Sequence, residues 1–409
     1  MTLPRPLLSI AEARAAILAG AACVDGVEEV ALARARGRVL ARDLASPRAL
    51  PVFDHSAMDG YALALAPGAA SYRLVGRVAA GAPQGPPLRP GEAVRIFTGA
   101  PLPSGADAVA MQENVVVADG AVALTKPAPA GDNIRHAGED VAAGSLLIPR
   151  GAMLDARHIG LAAAVGLASL PTLRRLRVAL ASTGDELTRP GDALAPGHIF
   201  DSNRPMLAAA LERPALELVD FGVLPDERGA VADFFARGAE KFDLIVTTGG
   251  ASVGDEDHLA AALAQAGGSI DVARVGIRPG KPFTHGRVGR ASVAILPGNP
   301  FAAFVAALLF VRPMIERALG LPIADFAPPP ARAGFAQKRA FGRVEFLPAR
   351  VVETGGAGGP VVERLGRGGS ARLRPLISAD GLAVIVPGDK PVEPGDAIGY
   401  LPFGAAFSL

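Results

Sequence analysis

The chain has 409 residues and is poor in several things that would narrow its role. Cys23 is its only cysteine, so no intramolecular disulfide can form and nothing calls for an oxidising compartment. The six histidines are scattered without metal-ligand spacing, which speaks against a zinc site. Lysine is scarce: Lys126, Lys241, Lys281, Lys338 and Lys390 are all there are among 41 basic residues, so a lysine is more informative here than an arginine. The formal net charge of +1 excludes a global basic field that would recruit nucleic acid or an anionic membrane. No G-x-G-x-x-G opens a first helix, which disfavours a dinucleotide-binding dehydrogenase. "GIRPGKP" has the Gly and Lys of a phosphate loop, but Gly276 and Gly280 are too close and Pro282 stands where Ser or Thr should hold magnesium. There is no G-x-S-x-G elbow and no His near Cys23, so metal and positioning chemistry fits better than covalent catalysis.

Long apolar runs are also few. The N-terminal stretch mixes acid and base and lacks a long apolar core, so it is expected not to be a secretory leader. Residues 291–311, "ASVAILPGNPFAAFVAALLFV", carry no charge and are long enough to span a bilayer. "PGNP" interrupts them, and two prolines and a glycine punctuate turns better than they continue a helix. A buried strand, a tight loop and a buried helix are expected, in a soluble cytoplasmic enzyme.

What is present is organised in blocks. Residues 9–45 read as helical, with Ser9 a candidate cap. Residues 46–145 are short apolar runs broken by Gly- and Pro-rich turns, the spacing of a small β domain. A helix is expected around 157–170. From about 174 to 325 strands ("LRVALAS", "ALELVDFGVL", "KFDLIVTTGG", "IDVARVGI", "SVAILPGNP") alternate with helices, which predicts a layered, mostly parallel α/β sheet. Pro328, Pro329 and Pro330 stiffen a linker, and the remaining residues return to β signals.

Ligands of such a sheet bind beyond the carboxyl ends of its strands. Three strand ends carry polar, Gly-rich loops: "STGDEL" (182–187), "TTGGASVGDED" (247–257) and "LPGNP" (296–300). Glycine lets backbone amides approach a phosphate. Acids crowd the same ends: Asp185, Glu186, Asp226, Asp255, Glu256 and Asp257. Others lie outside this block, at Asp54, Asp59, Glu139 and Asp140. Hard oxygen donors suit Mg²⁺, which takes one or two carboxylates plus substrate phosphates. Any single acid is more often a helix cap or a solvated side chain, and Asp257 before "HLAAAL" could be only a cap. Arg274, Arg278 and Lys281, just past a strand, form a candidate anion site or, equally, a solvated loop.

As an ordered set, "FDHSAMDGYAL", "RIFTGAPLPSGADAV", "NIRHAGED", "STGDEL", "TTGGASVGDEDHL", "RPGKPF" and "LPGNPFAAF" resemble the molybdopterin molybdenumtransferase (MoeA) family, the same module as one half of gephyrin. The α/β block alone also resembles the molybdopterin adenylyltransferases, of MogA type, and the competence-damage-inducible family. The resemblance implies a multidomain α/β plus β fold. Its central domain would be three-layer α/β/α (174–326) and its first domain discontinuous (1–45 with 146–173). A small β domain is inserted (46–145), and a β-barrel ends the chain (327–409). It implies Mg²⁺ and a homodimer with the site between subunits. Adenylylated molybdopterin and molybdate would react with release of AMP, in company with other proteins of the same biosynthesis. By resemblance Asp59, Thr98, Asp140, Glu186, Asp226 and Asp257 line the catalytic cleft, with Asp140, Glu186 and Asp257 toward the metal. Asp185, Gly249, Gly250, Ser252 and Gly254 would hold phosphate, and Arg274, Arg278 and Lys281 would offset the charge of molybdate. Pro297, Gly298, Asn299 and Pro300 would shape the pterin side, and Arg343 and Ser370 would reach the partner's site. His55 departs from the usual Asn, and Arg274 and Arg278 stand where Lys is common, a planar fork replacing a compact ammonium. An adenylyltransferase that consumes ATP, or a pterin-binding scaffold without turnover, are the alternative readings; the intact acid set argues against the scaffold.

Overall fold

A computed structural model of the chain describes residues 7–249, 258–356, 358–366 and 368–404. The first helix, Ile10–Ala19, is fixed at its start by a capping box. Ser9 accepts from the Glu12 amide at 3.2 Å, and the Glu12 carboxylate accepts from the Ser9 amide at 2.8 Å. Its buried residues Ile10, Ala13 and Ile17 follow the helical period. Helix does not continue to residue 45, as the sequence suggests. Gly26 turns at φ 101, and Val27–Ala31 forms a strand paired antiparallel with Ser169–Leu173. The expected helix around 157–170 likewise ends at Ala164, and that partner strand takes the residues after it.

Between these strands the chain makes a six-stranded sheet in the order Ala108–Met111, Gly60–Leu63, Glu92–Ile96, Ser71–Val78, Ala121–Leu124, Val115–Ala118. The short apolar runs read from the sequence are these strands.

The central sheet uses β1 (Leu176–Thr183), β2 (Leu216–Leu224), β3 (Leu244–Thr248), β4 (Ser269–Ala273), β5 (Thr284–Val288) and β6 (Ala291–Leu296), in the order β2-β1-β3-β6-β5-β4. Side-chain alternation sends Val178, Leu180, Leu244, Val246, Ala294 and Leu296 into one core, with helices Ile10–Ala19, Asn203–Leu211 and the run beginning at Pro300. It sends Ala179, Ile245, Val293 and Ile295 to the other face, under Arg228–Lys241 and His258–Gln265. The result is the expected three-layer α/β/α sandwich. Strands β2, β1, β3 and β6 pair in parallel; β5 pairs antiparallel with both β6 and β4, so β5 alone runs against the other five. The sequence reading did not anticipate β5, and it ran "IDVARVGI" as one strand. Arg274, at φ 66, divides it. Residues Ile277–Arg278 then leave the sheet and pair with the C-terminal strands.

The uncharged run resolves as expected into β6, a turn, and helix Pro300–Ala306, continued by a π-helical segment at Ala307–Val311. No described helix is long and apolar enough to cross a membrane.

After the prolines come β7 (Pro330–Ala333), β8 (Val344–Glu353), β9 (Val361–Arg364), β10 (Gly381–Ile385) and β11 (Ala397–Pro402). The pairings β8–β9, β9–β7, β7–β11, β11–β10 and β10–β8 close a five-stranded barrel. Its small lumen is filled by side chains such as Ala333, Leu347, Val362 and Ile398. Ile277–Arg278 adds to β8 in parallel, Ile277 opposite Val344 and Arg278 opposite Glu345.

Candidate active site

Three strand ends of the central sheet meet. Gly249 follows β3 at φ 100, and a Cβ there would lie 2.0 Å from the Thr183 carbonyl oxygen, so only glycine fits. A Cβ on Gly298 would lie 3.5 Å from the Gly249 Cα, so the loops after β3 and β6 touch. Asn203, at the start of its helix and 7% exposed, ties them together. Its amide donates to Thr248 Oγ1 at 2.8 Å and to the Gly298 carbonyl at 2.7 Å, and Thr248 Oγ1 donates to the Pro297 carbonyl at 3.0 Å. Neither Asn203 nor Thr248 was singled out from sequence; "DSN" before an apolar run reads only as a cap.

The acids stand at the same edge. Asp185 and Glu186 follow β1, and the Glu186 carboxylate packs against Gly184. Asp226 follows β2; its amide donates to Asp185 Oδ1 at 3.4 Å, and its own Oδ1 is buried with no hydrogen-bond partner. Gly250, Ser252, Gly254 and Asp257 lie outside the described residues. Among the described residues no group of three or more His, Cys, Asp or Glu could hold a metal ion by itself. A Mg²⁺ shared with phosphate oxygens needs only one or two protein carboxylates, and the hard, partly orphaned oxygens of Asp185, Glu186 and Asp226 fit that donor set.

Beside this edge lies a cleft of about 630 Å³ between the sheet and the barrel. Arg278, Lys281, Pro297, Gly298, Asn299, Arg343 and Ser370 all line it. Arg343 and Ser370 therefore face the cleft of their own chain. The Ser370 carbonyl accepts from the Phe301 amide at 2.9 Å, which fastens the C-terminal segment to the helix after "PGNP". Pro300 starts that helix with Asn299 as its cap residue; the Asn299 side chain makes no capping bond. Arg274 does not line the cleft: its amide donates to the Phe283 carbonyl at 3.2 Å in the turn that redirects the chain. Gln337, Glu345, Arg364 and Arg372 line the cleft and escaped the sequence reading. They sit on or beside barrel strands whose register against residues 277–278 no local pattern reveals.

Asp59, Thr98 and Asp140 belong to the segment holding the six-stranded sheet. The Thr98 amide and hydroxyl both donate to Asp59 Oδ1, at 2.8 and 2.9 Å, and the amide first of all holds the carboxyl below its ordinary range. The Asp140 amide donates to the Leu50 carbonyl at 3.0 Å. Among the described residues no hydrogen bond or ion pair joins these three to the central-sheet acids.

Comparison with known proteins places this arrangement in a class. The MoeA N-terminal region (domain I and II) matches residues 8–166, the probable molybdopterin binding domain 179–317, and the MoeA C-terminal region (domain IV) 330–403. The molybdopterin molybdenumtransferase of Haemophilus influenzae is 36% identical over 83% of this chain and 85% of its own. Molybdopterin molybdenumtransferase 2 of Mycobacterium tuberculosis is 39% identical over 72% and 75%. Two crystal structures of the molybdopterin biosynthesis MoeA protein from Pyrococcus horikoshii cover 97% of this chain, with TM-scores of 0.82 and 0.80 at 29% and 25% identity, and 99% and 100% of those chains are covered. The chain belongs to the MoeA family, enzymes of molybdenum cofactor biosynthesis.

Proposed function

We propose that this chain inserts molybdate into adenylylated molybdopterin with release of AMP, in a Mg²⁺-dependent reaction. The observation that carries the reading is the meeting of two chemistries at residues 297–299. An edge of glycine and carboxylates lies on one side, and an arginine-lined cleft lies on the other. The first suits a phosphate with its counter-cation, the second a tetrahedral oxyanion.

In this reading Gly249, Gly250, Ser252 and Gly254 cradle the phosphate, with Asp185 and Asp226 beside it. Glu186, Asp257 and Asp140 would hold Mg²⁺, which would supply neutralisation of phosphate charge. Arg278, Lys281 and Arg343, with Ser370, hold molybdate. Pro297, Gly298, Asn299 and Pro300 form the wall between, against the pterin. Arg274 acts as a structural turn that aims Arg278 and Lys281. Two subunits assemble so that Asp59, Thr98 and Asp140 of one face the central edge of the other; among the described residues these three make no hydrogen bond or ion pair to that edge within one chain. We also propose the division into 1–45 with 146–173, 46–145, 174–326 and 327–409, and a cytoplasmic location.

Purified protein mixed with adenylylated molybdopterin, Mg²⁺ and molybdate is expected to release AMP only when all three are present. Release that ignores molybdate would overturn the reading. Formation of the adenylylated pterin from ATP would favour the adenylyltransferase instead.

A further inference from the structure

The cleft sets five cations, Arg278, Lys281, Arg343, Arg364 and Arg372, against a single carboxylate among its described lining, Glu345. That carboxylate is nearly closed off from solvent, the residue being 4% exposed. One of its oxygens lies 3.4 Å from an Arg278 guanidinium nitrogen, and the other accepts from Gln337 Nε2 at 3.0 Å. Gln337 Oε1 in turn accepts from Arg364. Arg278 and Glu345 stand directly opposite each other where residues 277–278 pair with β8. The relay therefore ties two of the five cations to one buried negative charge.

A carboxylate beside an anion site works against the anion, and burying it costs more unless it is paired. Left alone, five cations would retain any abundant oxyanion. We infer that Glu345 is a positioning residue that tunes affinity: it fixes Arg278 and, through Gln337, Arg364, while lowering the positive charge so that a dianion binds reversibly. This rests on the reading of the cleft as the molybdate site.

The test is calorimetry of the full chain with molybdate, sulfate and nitrate, for the native protein, Glu345→Gln and Glu345→Ala. The Gln variant keeps the shape and an acceptor for Arg278, and loses the charge together with the acceptor for Gln337 Nε2. It is expected to bind molybdate and sulfate about tenfold tighter and the monoanion nitrate about threefold tighter, as Coulomb energy scales with ligand charge. The KM for molybdate in AMP release should fall by a similar factor, and sulfate should inhibit at correspondingly lower concentration. The Ala variant, which loses the acceptor for Arg278 as well, should gain less than the Gln variant. A purely structural role moves stability but does not sort ligands by charge. Gln-variant affinity that is unchanged or weaker, or a gain equal for nitrate and sulfate, would overturn the inference while leaving the cleft's role intact. A native protein that binds no oxyanion would overturn both. Binding in the expected order without AMP release would overturn the reaction alone.

Discussion

The central sheet has a parallel half and, beyond β6, a pair of strands joined by antiparallel ladders, and the two place different residues. Strands β1, β2, β3 and β6 run the same way, so their loops gather at one edge. That edge carries Glu186, Asp226, Gly249 and Gly298, a set of backbone and carboxylates. Strand β5 alone reverses direction; β4, antiparallel to it, again runs with the others, and the chain leaving β4 turns at Arg274 to carry Arg278 and Lys281 to the barrel. Parallel strands concentrate loops; at the sheet's border the turn after β4 exports a segment to a neighbouring domain. The proposed reaction, with an anionic phosphate and an anionic second reactant, would use both.

The largest expected effect tests the parallel edge. Glu186→Ala should lower AMP release about 10³-fold while leaving calorimetric oxyanion binding in the cleft unchanged. If molybdate binding falls in step with turnover, the two halves are not separate. Next, Gly249→Ala forces a methyl group onto the Thr183 carbonyl at a φ that side chains rarely adopt. A loss of about 3 kcal/mol of stability is expected, read from denaturant midpoints. A variant as stable as the native protein would mean that the loops after β1 and β3 separate easily.

The antiparallel pair has its own probe. His285 on β5 is fully buried, with neither ring nitrogen hydrogen-bonded. Burial pushes its imidazole down to about 4 from 6.5, outweighing Asp271 at 3.6 Å. Between those values the unfolded chain binds the proton and the folded chain does not. Stability is therefore expected to fall as pH drops from about 6.5 toward 4, by up to about 3 kcal/mol. His285→Leu should flatten that part of the pH profile of thermal midpoint; an undiminished slope would assign the acid sensitivity elsewhere. The smallest effect belongs to the cleft. Arg343→Ala should raise the KM for molybdate about tenfold with a lesser change in kcat. A change in kcat alone would move Arg343 away from ground-state binding.

Much of this was legible in the sequence where one local rule decides. The capping box at Ser9, the strand–turn–helix at "PGNP" and the alternation of β1, β3 and β6 each follow from neighbours in the chain. So did the convergence of Glu186, Asp226, Gly249 and Gly298, because loops of parallel strands share an edge. What stayed hidden depends on register between distant segments. Glu345 looks like any strand residue until Arg278 is placed opposite it. Asn203 looks like a cap until its amide reaches Thr248 and Gly298. Val27–Ala31 is a weak strand by composition, and its partner lies at Ser169–Leu173, beyond the reach of any local pattern.

The pairing of Ile277–Arg278 with β8 also bears on how the molecule can be taken apart. The ladder joining the barrel to the rest of the chain is made by a segment that precedes the barrel in sequence by some fifty residues. Cutting the chain ahead of Pro330 would remove the barrel and leave that segment with an open edge and Arg278 without its counter-charge. Grafting a relative's barrel would work best if residues 274–281 travelled with it. The natural seam of exchange is thus a pair of crossings rather than a single cut, and natural or engineered chimeras should respect both.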